Sequence, residues 1–157
     1  MAGTFYSSEM PRTTSGRPQR RILEATVVAG LLGAAPSLLY TSRRDGVLGA
    51  WGYGISATRA VGTLVRPGRP SLMVGAVAHF GISVAFGQAL GRILPDRHPA
   101  LWGAAAGLAM GLIGAGAIGR RSPAIRDLPF GAQVADNVFF GVIFALVVDR
   151  PVLRSTA

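Results

Sequence analysis

The sequence predicts an all-α, polytopic membrane protein: a four-helix bundle with an additional amphipathic interfacial helix between spans 1 and 2. Three observations lead there. Apolar runs fall at about residues 22–41, 72–94, 100–119 and 133–148, near the length that crosses a ~30 Å hydrocarbon core at about 1.5 Å per residue. Half of the residues are hydrophobic and 15% are charged, against about 25% charged in an ordinary soluble domain. The 22 glycines suit membrane helices, where Gly is frequent. With 157 residues the chain suits one domain.

Residues 1–21 hold Pro11, Pro18 and four arginines among Ser and Thr and read as a disordered basic tail. A cleaved leader is disfavoured, because Glu24 interrupts the start of the apolar run and no Ala-x-Ala site follows. In the first span, Pro36 is expected to loosen the last turn. Residues 46–66 carry Arg59 and five glycines. At helical spacing Asp45, Gly49, Gly52, Ser56, Arg59, Thr63 and Arg66 share one face, with Val47, Trp51, Ile55, Val61 and Val65 largely opposite. That pattern favours a helix lying in the interface over a fifth span. Arg66-Pro67-Gly68-Arg69-Pro70 breaks the chain before span 2. Pro95 to Pro99 forms a polar turn, with Pro99 placed to open span 3. Span 4 is short, stopped by Asp149, Arg150 and Pro151, and residues 150–157 form a short C-terminal tail.

All 16 basic residues are Arg, and the formal net charge is +9. The arginines sit mostly between apolar runs, so the expected partner is a bilayer with anionic headgroups and not nucleic acid. They divide almost evenly between the two sides, so they set no orientation. There is no cysteine, which removes disulfides and thiolate chemistry. His79 and His98 are too far apart and too few for a metal site. Neither a P-loop nor a nucleophile elbow occurs. The sequence therefore implies no enzyme, no cofactor and no metal.

Small residues recur every four positions. Gly103, Gly107, Gly111, Ala115 and Gly119 form such a stripe in span 3, and Gly75, His79, Ser83, Gly87 and Gly91 form one in span 2. Such stripes let helix backbones approach in lipid, within one subunit or between copies. Four intramembrane polar residues stand out: His79, Ser83, Asp136 and Asn137. Polar groups in lipid face the bundle and find partners. His79 is expected to meet Asp136 or Asn137, as a plain interhelical hydrogen bond or, alternatively, as a relay on a proton path.

The stretch "GAVAHFGISVAFGQAL" with His79-Phe80 and Ser83, the opening Trp102-Gly103 with Gly107, and "ADNVFFGVIFALVVD" with Phe140-Gly141 resemble small four-helix bacterial membrane proteins of the uncharacterised YagU-like kind. The likeness runs from about residue 22 to 149. It implies four spans, the interfacial reading of residues 46–66 and a multi-pass place in the bacterial plasma (inner) membrane. It implies no activity. Where that family often has a His in the last span, this chain has Asp136-Asn137. The function expected is structural or accessory, as a subunit or binding partner of a larger membrane assembly or by self-association. The alternative is a small transporter or channel-like protein using His79 and Asp136.

Overall fold

In a computed structural model, residues 16–150 are described, and they form helices without a strand among them. In chain order these are α1 (Gln19–Leu32), α2 (Ala35–Val65), α3 (Leu72–Ile93), α4 (Pro99–Gly111), α5 (Pro123–Arg126) and α6 (Phe130–Val148). A π-helical segment, Leu112–Ile118, and a 3-10 turn, Gly119–Arg121, follow α4. Four stretches are long and apolar enough to cross a membrane: Gln19–Val65, Leu72–Ile93, Pro99–Arg121 and Phe130–Val148. Side chains such as Leu31, Leu48, Met73, Val77 and Leu101 point outward, as lipid-facing residues do.

The helices begin and end for local reasons. The Ser71 hydroxyl accepts the Val74 N–H at 3.4 Å and caps α3. Pro99 opens α4 after His98, whose φ of 53° turns the chain sharply. The first span departs from one uninterrupted helix over 22–41. It begins at Gln19 and breaks at Gly33-Ala34, in its middle and not at its end. Pro36 has no N–H to give the preceding turn and its ring crowds the carbonyl four residues back, so the helix restarts at Ala35.

A second break lies at Gly46, whose φ of 75° and ψ of −179° are open essentially to Gly alone. The chain folds back there, so a Cβ on Gly54 would touch the Leu38 side chain. Residues 47–65 thus form an arm against residues 35–45 and the start of α3. The two-sided sorting read from the sequence omits this arm's third face. Arg59, Ser56 and Gly52 are exposed, as are Trp51, Ile55 and Val65, while Val61 turns inward with Gly62 and Ala60.

Contacts through missing side chains hold the bundle together. A Cβ at Gly103 would overlap the Gly141 carbonyl, one at Gly107 the Asn137 carbonyl, and one at Gly111 would press on Val134. As one number rises the other falls, so α4 and α6 are antiparallel with backbones touching. α1 and α3 are antiparallel too: Gly87 meets the Thr26 side chain and Gly91 meets Ile22. Gly75 lies on the Thr58 carbonyl and beside Gly62, joining α3 to the arm. Beyond Gly111 the four-residue stripe ends, because π-geometry rotates the chain. Gly119 faces Ile125, and Gly114 and Gly116 face open space. Span 3 is therefore not one α-helix to residue 119. Span 4 starts at Phe130, three residues before the expected Gln133.

The packed core occupies one end of the bundle. It consists of Ile22, Ala25, Ala29, Leu90, Leu94, Phe140, Phe144, Ala145 and Val148. Arg17 closes that end. Its guanidinium donates to Asp149 Oδ1 at 3.0 Å, to the Leu94 carbonyl at 2.7 Å and to Asp96 Oδ1 at 2.9 Å. Arg21 donates to the Arg150 carbonyl at 2.9 Å. Arg17 and Arg21, both in the stretch expected as tail, are thus held against the bundle. Residues 1–15 and 151–157 of the expected tails lie outside the described residues.

Gly107→Leu is expected to lower the thermal midpoint in detergent by several degrees. A clash of this kind costs about 1–3 kcal/mol or more, and each kcal/mol shifts the midpoint by roughly 2–4 °C at this chain length. Leu108→Ala, on the outward face, is expected to shift it by less than 2 °C, in the range usual for surface changes. Scanning calorimetry of the three purified proteins makes the comparison.

Candidate functional site

Above the core, toward the start of α6, the helices diverge around a cavity of about 340 Å³. Its walls come from the break in the first span, the inner face of the 47–65 arm, α3, the π-segment and α6. Phe140 lies in both the core and the cavity wall, and its ring stacks on Phe86 with centroids 5.4 Å apart. The π-segment leaves room because Gly114 adds no bulk. Two helices thus depart from α-geometry beside one space, a pattern often found where helices do more than span.

Asp136 sits at the break. Its Oδ1 accepts the Ser37 backbone N–H at 2.9 Å, while the Ser37 hydroxyl donates to the Ala34 carbonyl at 3.0 Å. Pro36 forces the interruption, and Asp136 satisfies a donor that would otherwise lie bare in a medium without water. The position is also the N-terminal turn of the restarted helix, where a negative group is favoured. Thr41 and Thr26 return their hydroxyls to carbonyls four residues back, at 2.6 and 2.7 Å.

The four polar residues read from the sequence all line this cavity, but they do not pair as expected. No hydrogen bond joins His79 to Asp136 or Asn137 among the described residues. The Asn137 amide donates to the Gln133 carbonyl at 2.8 Å within α6. His79 is exposed as well as cavity-lining, which places it at a mouth. Ser83 is 9% exposed and faces the space. Gln133 bridges to the Ile125 and Leu128 carbonyls, both at 3.2 Å, and ties α5 to α6. Asp136 instead meets the break in the first span.

Ser37, Tyr53, Phe86 and Phe140 also line the cavity, though their residue types do not mark them in the sequence as site residues. Tyr53 lies two residues from Trp51, yet it turns inward to the cavity, while Trp51, Trp102 and Tyr40 face outward. Ser37 carried a signal, since Ala25, Ala29, Gly33 and Ser37 fall four apart in the first span and Ser37 directly follows Pro36. No cluster of three metal-ligating side chains occurs among the described residues. The chain matches no family model, no curated protein and no solved structure.

Asp136→Ala removes the acceptor and leaves the Ser37 N–H unpaired. A loss of about 1–3 kcal/mol is expected, read as a lower thermal midpoint and faster exchange of the Ser37 amide. Asp136→Asn keeps a carbonyl oxygen and is expected to stay near the parent. His79→Gln breaks no bond and is expected to leave the midpoint unchanged.

Proposed function

We propose that the chain is a small multi-pass protein of the bacterial plasma membrane with a structural or accessory, non-enzymatic role, seated as a subunit or binding partner in a larger membrane assembly. The observation that carries this reading is the division of α3 into two small-residue faces. Gly75, Ser83, Gly87 and Gly91 are buried inside the chain. Gly81, Ala85 and Ala89, also four apart, are exposed, and a Cβ on Gly81 meets open space. Val77 and Ile93 continue that outer stripe. In lipid, small residues at this spacing admit a neighbouring helix backbone, which lipid tails do not need. The likeness to YagU-like proteins supports the same topology and adds no reaction.

The 47–65 arm belongs in the interface in this reading. Arg59 and Ser56 are exposed beside Trp51 and Ile55, a mixed outer surface suited to headgroups on one side and acyl chains on the other. The arginines flanking the arm, among them Arg43, Arg44, Arg66 and Arg69, would contact anionic headgroups. Cysteines placed at Asp45 and Gly68 are then expected to react with an impermeant maleimide from the same side of the membrane. Labelling from opposite sides would make the arm a span. A second reading, a small transporter or channel-like protein using His79 and Asp136, is favoured by one observation: both line one cavity.

The accessory reading is tested by cross-linking in native membranes. The parent chain is expected to form an adduct larger than the monomer. Ala85→Leu and Ala89→Leu are expected to lose it while keeping the parent's thermal midpoint in detergent, whereas Gly87→Leu lowers the midpoint. An adduct that survives both outward changes, or a parent that is always a lone monomer, would contradict the reading.

A further inference from the structure

We infer that the cavity beside the broken first span is a binding site for a small monovalent organic cation, an amine or quaternary ammonium on a compact apolar body. The inference rests on the membrane placement proposed above and goes beyond the accessory role. Charge comes first. Asp136 makes no ion pair among the described residues, and no Arg lines the cavity. Its observed partner is a single backbone N–H at Oδ1, which leaves Oδ2 open to a cation. A carboxylate in so apolar a space is held either as the neutral acid or beside a cation brought from outside. His79 lines the same cavity from α3 without pairing with it.

Tyr53, Phe86 and Phe140 line the space, the last two stacked on each other. The negative face of an aromatic ring attracts an ammonium group, most strongly where water is excluded. Ser83, nine-tenths buried and without a hydrogen-bond partner among the described residues, offers its hydroxyl oxygen to the same space. About 340 Å³ falls at the small end of ligand sites, which run from about 300 to 1,000 Å³. An anion would meet an uncompensated carboxylate, and a neutral hydrocarbon would leave Asp136 without a counter-charge.

The test uses the full chain in detergent and labelled benzyltrimethylammonium as probe, with neopentylbenzene as its uncharged isostere. Saturable binding of one cation per chain is expected, with the isostere competing at least ten-fold more weakly. Asp136→Asn is expected to weaken binding ten-fold or more with its thermal midpoint kept, since its amide oxygen still accepts the Ser37 N–H. The paired change Tyr53→Leu with Phe86→Leu is expected to weaken binding several-fold, and it decides the matter if Asp136→Asn does not fold. Non-saturable uptake, equal competition by the isostere, or unchanged binding in these variants would overturn the inference. Failure of the membrane reading is seen separately, as a monodisperse chain that needs no detergent.

Discussion

The helices of this chain approach one another where side chains are missing. Lipid tails are as apolar as leucine, so burial drives no association inside a bilayer, and close backbone contact has to supply the attraction. Gly103 against Gly141, Gly107 against Asn137 and Gly75 against Thr58 provide that contact at three places. Each is a site where a single methyl group would overlap a carbonyl. Dispersion and weak Cα–H contacts to carbonyls operate only at such range. The large side chains fill one end of the bundle, around Phe144 and Leu90, where Arg17 ties three chain segments together.

The other end is looser for an identifiable reason. Pro36 breaks the first span, and in the third the close backbone contact with α6 stops at Gly111, where the π-segment begins. A break in lipid exposes backbone polarity, and each bare group there costs several kcal/mol. Asp136 meets that demand at Ser37. A charged residue is therefore kept in an apolar helix by a backbone requirement, and the cavity lies beside the two irregular segments. Structural need and chemical opportunity share one residue: the oxygen facing Ser37 holds the fold, and the other remains free for a ligand.

Much of the architecture follows from local rules. Lipid imposes a length and a hydropathy on each span, so the runs at 72–94 and 133–148 could be read from composition, and α3 and α6 fall within a few residues of them. Proline punctuation marks Pro99 in the same way. What local rules do not carry is partner choice. His79 and Asp136 are the obvious polar pair in the sequence, yet the pair depends on where a break in another helix puts a backbone N–H. Gly46 is one of many glycines, and its positive φ is set by the fold-back it permits. Tyr53 sits on the arm's third face, which exists only once the arm has α3 and residues 35–45 beside it. The π-segment follows an unbroken pattern of small residues, and nothing in that pattern marks the change of helix type.

The account depends on backbone contact between α4 and α6, and a double-mutant cycle at Gly103 and Gly141 measures it most directly. A Cβ at either residue overlaps the backbone of the other, so one outward shift of the helices accommodates both. Gly103→Ala and Gly141→Ala are each expected to lower unfolding free energy in detergent by at least about 1 kcal/mol. The double variant is expected to lose clearly less than the sum, with a coupling of about 0.5 kcal/mol or more. Two near-neutral single changes that simply add would contradict contact between these two backbones.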